Sequence, residues 1–343
     1  MTTTQETETT ARRRATTVCV AGASGLVGSN IVRACLEAGY RVNGTLRNAD
    51  DIERVEWLMG LPGADERLTL FSADMADSES FDAPLKGADA VFIACLVPIY
   101  HGVDGTPARE LDDERGWAEI IRPIEEGALN IMRAADRQDV RNVIICSSTS
   151  STNPPVPVPV KNEIDHVSDV DQQIRAKKYT SAEKTVMEAS ARKFAEAHGQ
   201  RLCILMPTLM PGPVILPEHL EHGFHSTLML LIHGRPGQHE RVPAGSVSML
   251  HIHDVAALFL AAYENPNASG RYYAVYESWP WRDVYAEVAR HVPPDGLPKP
   301  LEGEPEVPTG FDFTRRDSLG VPLRDIPTIL RETIEWMKSR PFG

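Results

Sequence analysis

Tyr179 and Lys184 stand in the stretch "KKYTSAEKTV", residues 177–186, and are residue types that do proton chemistry together. A phenol has a pKa near 10, and an ammonium within about 4–6 Å lowers it by roughly 1–3 units. Such a pair can supply a proton to the alkoxide formed when a carbonyl is reduced. The spacing works against it. Residues four apart share a helix face, whereas residues five apart diverge by about 140°. In one regular helix Tyr179 and Lys184 cannot both face one reacting atom. Thr180 has the four-residue spacing, but its hydroxyl does not ionise near neutral pH. Three readings stay open. A π-bulge or a late helix start brings Tyr179 round, and "TSAE", residues 180–183, has the capping-box pattern for such a start. Alternatively, Tyr100 or His101 supplies the proton. In the third reading the site reduces no carbonyl and works as a lyase, an isomerase or a nucleotide-sensing binding protein.

A second group of residues suits phosphate. "VCVAGASGLVGSNIV" puts Gly22, Gly25 and Gly28, with Ser24, Leu26 and Val27 between them, where a first strand turns into a first helix. Gly22 permits the turn, Gly25 lets backbone approach a pyrophosphate, and Gly28 lets helix pack on strand. The helix N-terminus then offers free N–H groups and the positive end of its dipole. The second strand ends "RVNGTLRN" with no acid for a ribose 2′-hydroxyl. Arg47 and Arg54 suit a 2′-phosphate instead, so NADP(H) is expected over NAD(H), although both arginines also read as ordinary surface residues. In "SADMAD", Asp74 and Met75 are placed to bracket adenine, and Asp74 equally suits a helix cap.

The elements that must position these residues are legible between residues 18 and 206. Short apolar runs ("VCVA", "RVNGTL", "LTLF", "AVFIA", "NVIIC", "RLCILM") alternate with amphipathic helical patterns. Several runs are apolar on successive residues, as in strands covered on both faces. The expectation is an α/β fold with a doubly wound parallel sheet of Rossmann type, its ligand edge at the strand C-termini. Two long stretches, 97–117 and 153–166, leave that edge as candidate cleft walls. Three segments are expected: residues 1–15 as a disordered tail, 16–206 as the nucleotide-binding domain, and 207–343 as a smaller, mainly substrate-binding lobe with some elements returning to the sheet.

A net charge of −13 without a basic stripe excludes nonspecific nucleic-acid binding, and no run is apolar enough to span a membrane. The five cysteines form no CxxC and lie mostly in apolar runs, which suggests a reduced, cytoplasmic protein. His219, His222 and His225, and separately His251 and His253 on an expected strand, lack a completing ligand, so no metal is assigned.

With "VAGASGLVGS", "GTLR", "ADMAD", "GADAVFIA", "VRNVIICSS", "MPTLMPGP" and "HIHDVAALFLAAYENPNASGRYY" in that order, the chain resembles the extended short-chain dehydrogenase/reductases over about residues 16–340. The resemblance is to the group of dihydroflavonol reductase, cinnamoyl-CoA reductase and yeast carbonyl reductases. It implies NADP(H) and reduction of a ketone or aldehyde by a Ser–Tyr–Lys set. Ser148 and Lys184 fall on the family's serine and lysine, and Thr180 falls on its tyrosine, so the expected set is Ser148, Lys184 and a displaced Tyr179. It further implies cofactor contacts from Ala94, Cys95 and Leu96 and from Pro207, Thr208 and Leu209. Substrate contacts are expected from Pro98, Tyr100, His101 and Thr149, with a monomeric or homodimeric protein acting on a small molecule.

Overall fold

The computed structural model describes residues 13–339, 341 and 342. Its centre is a seven-stranded sheet in the order β3-β2-β1-β4-β5-β7-β9, every neighbouring pair parallel. The strands are β1 (Thr17–Ala21), β2 (Arg41–Leu46), β3 (Leu68–Ser72), β4 (Ala90–Ile93), β5 (Asn142–Cys146), β7 (Arg201–Pro207) and β9 (Gly270–Ala274). The short β6 (Val160–Lys161) pairs outside this sheet with β11 (Gly310–Phe311), and β8 (Ser246–Met249) pairs antiparallel with β10 (Glu277–Pro280). The apolar runs form the strands because they are covered on both faces: Val18, Cys19, Val20 and Ala21 in β1, and all of β4, are wholly buried. Strand order reverses between β1 and β4, so their C-terminal ends open the crevice where such sheets bind ligands.

The helices of eight or more residues are α1 (Leu26–Ala38), α2 (Ile52–Met59), α3 (Arg122–Arg137), α4 (Tyr179–His198), α5 (Gly223–Ile232), α6 (Ile252–Glu264), α7 (Trp281–Val288) and α8 (Ile326–Lys338). On one face of the sheet α1 packs with α6, and Ile31, Val32, Cys35 and Leu36 of α1 enter the core as their spacing predicts. On the other face α3 packs with α4. A third cluster joins Leu228 of α5, Val284 of α7 and Ile329 of α8, outside the central sheet. The chain after Pro207 is thus divided, with β9 and α6 completing the sheet layers and α5, α7 and α8 forming a smaller core.

Three local expectations change. The tail boundary at residue 15 shifts: residues 13–15 are helical, and Arg13 pairs with Glu264 at 2.7 Å, while residues 1–12 of the expected tail lie outside the described residues. His251 and His253 do not share a strand face, because His251 caps α6 and His253 lies in its first turn. The "TSAE" box does not start α4. That helix begins at Tyr179 with Lys178 as an N-cap that gives no side-chain bond.

Candidate active site

The glycine turn is built as its spacing predicts. Gly22 has φ of 87°, and its N–H donates to the Thr45 carbonyl at 3.1 Å. A Cβ on it would stand 2.8 Å from the Cys95 backbone. A Cβ on Gly28 would stand 2.0 Å from the Gly22 carbonyl oxygen, so only glycine lets α1 sit this close to the turn. Gly25 is the N-cap of α1; no side chain caps that end and no acid occupies its first turn. The helix therefore presents backbone donors and a positive dipole end over a position with no side chain, which fits a dinucleotide pyrophosphate. Ser24 lies in the same turn, and its carbonyl bonds His219 Nε2 at 3.1 Å, so the Pro217–Glu221 segment packs on the loop. Leu26 and Val27 are the first residues of α1.

Arg47 is exposed at the end of β2. Arg54 is engaged, with its guanidinium 3.0 Å from Glu218 and 3.6 Å from Asp51. The Asp74 carboxylate accepts from Ala76 N at 2.9 Å in a turn, while the cap of the short helix that follows is Asp77. Met75 packs into the α3 interface: a Cβ on Gly127 would stand 2.9 Å from its sulfur. Ala94, Cys95 and Leu96 follow β4 directly, and Ala94 N donates to the Ala21 carbonyl at 2.9 Å. Burial raises the Cys95 thiol to about 12, so it is a packed thiol and no thiolate. Pro207 ends β7, Thr208 Oγ1 donates to the Ser248 carbonyl, and Leu209 bonds β8 by its backbone.

Lys184 is buried on α4, and its ammonium donates to the Leu96 carbonyl in the loop after β4. This places the lysine at the same sheet edge as the glycine turn. Ser148 is half-buried just past β5, its hydroxyl accepting from Ser150 N at 3.2 Å. Its position is fixed from beneath. Ser147 Oγ donates to Glu188 of α4, Ser151 Oγ donates to the same carboxylate oxygen at 2.6 Å, and Arg271 of β9 pairs with the other oxygen at 2.9 Å. This buried network ties β5, α4 and β9 together on either side of Ser148. Thr149 is half-buried beside it. On the 97–117 stretch Pro98 is half-buried, while Tyr100 and His101 are exposed.

Tyr179 does not come round to Lys184. Its side chain is wholly buried in a cluster with Leu111, Ile120 and Ile121. Its hydroxyl donates to Asp113 at 2.7 Å and accepts from Lys177 at 2.9 Å. Burial first, then the Asp113 carboxylate, outweigh Lys177 and raise the phenol above its ordinary value, the opposite of what an activated acid needs. A π-helical segment is present, but at Gly116–Ile121, where it packs against α4. A Cβ on Gly116 would stand 2.5 Å from the tyrosine ring. Thr180, at the expected phenol position, is half-buried.

Sequence reasoning passed over Glu183. Its carboxyl is wholly buried, with one oxygen accepting from Ile99 N at 3.5 Å and the other 3.6 Å from Lys184 Nζ without a hydrogen-bond partner. Burial raises it to about 7 despite the lysine. The available signal was an acid directly before the lysine on a helix that opens at the ligand edge.

Known proteins share this architecture. The model of the NAD dependent epimerase/dehydratase family matches residues 18–275. A dihydroflavonol 4-reductase of Callistephus chinensis is 30% identical over 335 residues, covering 95% of this chain and 87% of that protein. The crystal structure of vestitone reductase from alfalfa (Medicago sativa) has a TM-score of 0.73 at 24% identity, covering 95% and 99% of the two chains. Yeast methylglyoxal/isovaleraldehyde reductase Gre2, crystallised with NADPH, has a TM-score of 0.76 at 18% identity over 94% and 99%. The chain belongs to the NAD dependent epimerase/dehydratase family and, within it, to the extended short-chain dehydrogenase/reductases.

Proposed function

We propose that the protein is an NADP(H)-dependent oxidoreductase that reduces a ketone or aldehyde, or oxidises the corresponding alcohol. The observation that carries this reading is the meeting of two features at one sheet edge. The uncapped helix start at Gly25, which has no side chain, suits a pyrophosphate, and the buried ammonium of Lys184 is bonded to Leu96 in the loop after β4 at the same sheet edge. The relatives named as reductases and the NADPH-bound neighbour support the same choice.

In this reading Gly22, Gly25 and Gly28 admit the pyrophosphate to the α1 N-terminus, and Arg47 answers the 2′-phosphate. Bound NADPH supplies the hydride. Lys184 leaves the Leu96 carbonyl to hold the nicotinamide ribose, while Ser148 donates a hydrogen bond to the substrate's carbonyl oxygen. The Glu188 network keeps Ser148 from swinging with its loop, since Ser147 and Ser151 on either side are both anchored. In this reading Pro98, Tyr100, His101 and Thr149 line the substrate side.

The test is NADPH binding followed by fluorescence, then loss of NADPH absorbance with a panel of ketones and aldehydes. Binding without turnover of any carbonyl would favour the second reading, a lyase, isomerase or nucleotide sensor. The observation behind that alternative is the burial of Tyr179 away from Lys184.

A further inference from the structure

We propose that Glu183 is the proton donor of this site, standing in for the phenol that position 180 lacks. The inference rests on the reductase reading above. Three observations lead to it.

The first is placement. On α4, Glu183 lies about 60° round the helix from Thr180 and about 100° from Lys184, on the side facing the loop after β4. Its carboxyl accepts from Ile99 N and stands 3.6 Å from the Lys184 ammonium. Tyr100, on the same loop, feels it too: partial burial and then the Glu183 charge raise that phenol. The groups around the carboxyl are thus Lys184 from its own helix and Tyr100 from the loop.

The second is incomplete satisfaction. Glu183 is wholly buried, yet one carboxyl oxygen has no hydrogen-bond partner. Lys184 donates to the Leu96 carbonyl and stays 3.6 Å from that carboxyl oxygen, close enough for an ion pair but beyond hydrogen-bond length. Burial shifts such a carboxyl towards its neutral form although the Lys184 ammonium opposes this, so a fraction keeps a proton to give near neutral pH. Its value of about 7 suits general-acid work at neutral pH better than a phenol near 10.

The third is release. The covering loop is tied to α4 by the long Ile99 bond and by Lys184. A ribose that takes Lys184 removes the second tie, and in the proposed step the loop then moves far enough for the carboxyl to reach the substrate oxygen.

The step balances. The carbonyl carbon accepts hydride, the C=O π pair moves to oxygen, and Glu183 transfers its carboxyl proton to that oxygen. NADPH is oxidised to NADP+, the carbonyl is reduced to the alcohol, and the Glu183 carboxylate takes a proton back from water.

Two measurements test the proposal. Carboxyl 13C NMR of the apoprotein should show one glutamate titrating near pH 7, absent from E183Q. In kinetics, E183Q should lower kcat/KM by about a hundredfold while NADPH affinity stays within about threefold. The double variant E183Q/T180Y, with the phenol restored, should recover at least about tenfold of that loss. If E183Q does not fold, E183D serves: it should keep a raised titration midpoint and lose only part of the activity. A Glu183 carboxyl titrating in the ordinary range overturns the proposal, as does E183Q within about threefold of wild type. Wild-type protein that binds NADPH but turns over no carbonyl ends the reductase reading and the proton-donor role with it. An active wild type with an equally active E183Q removes Glu183 alone.

Discussion

The burial of Glu183 makes a prediction about stability that needs neither cofactor nor substrate. In the folded protein its pKa is raised from 4.5 to about 7, with burial outweighing the nearby Lys184. Below pH 4.5 both folded and unfolded chains hold the proton, and the group costs nothing. As pH rises towards 7 the unfolded chain ionises first, so the folded state loses stability. Above 7 both are ionised and the penalty is constant at about 3 kcal/mol, from 1.36 kcal/mol per pKa unit. Glu183→Gln keeps the shape and removes the titration. Its unfolding free energy relative to wild type should therefore rise by about 2 to 3 kcal/mol between pH 5 and pH 8. Titrating groups far from Glu183 cancel in the difference between the two proteins, because they are common to both. Urea unfolding at several pH values, followed by circular dichroism, measures this directly. A difference that does not change with pH would mean that Glu183 ionises freely in the folded protein, and the reasoning from its burial would be wrong.

Three further outcomes follow from the same geometry. Tyr179→Phe should keep carbonyl reduction within about twofold and cost about 1–2 kcal/mol in urea, because the ring stays buried and only the hydroxyl's bonds to Asp113, Lys177 and the Leu111 carbonyl are lost. Arg271→Leu should cost about 3–5 kcal/mol in chemical denaturation, because it leaves the Glu188 carboxylate buried without its cation. Arg47→Ala should weaken NADPH by about tenfold and leave NADH nearly unchanged, measured by fluorescence titration of both nucleotides.

The parallel sheet was legible because its strands are buried on both faces and announce themselves as unbroken apolar runs. The strands β2 and β5 begin and end where "RVNGTL" and "NVIIC" do. The glycine turn was equally legible, since φ of 87° at Gly22 and the 2.0 Å approach at Gly28 are demands that only glycine meets. The return of β9 to the sheet was foreseen only in kind. What stayed hidden depends on contacts between distant segments. Arg54 reads as a phosphate ligand by position, and nothing near it in sequence announces Glu218 as its partner. Nothing near Met75 in sequence announces that its side chain packs on Gly127 of α3. Glu183 looks like an ordinary helix surface acid, because its burial comes from the loop after β4, more than eighty residues earlier.

The one-residue offset of the tyrosine is explained by what lies opposite it. The segment from Leu111 to Ile121 packs against the start of α4, and it needs something to grip. Tyr179 supplies a ring that fits only because position 116 has no Cβ, and a hydroxyl that meets Asp113 and Lys177. A phenol so held is worth more to the fold than to chemistry, since its proton is shared with an exposed carboxylate and its ring faces away from Lys184. Moving it by one position would place it beside the lysine and remove it from that packing. The chain therefore has a structural tyrosine at 179 and a threonine at 180. The nearest buried acid to the lysine is then the carboxyl one residue before it, in surroundings that favour its neutral form.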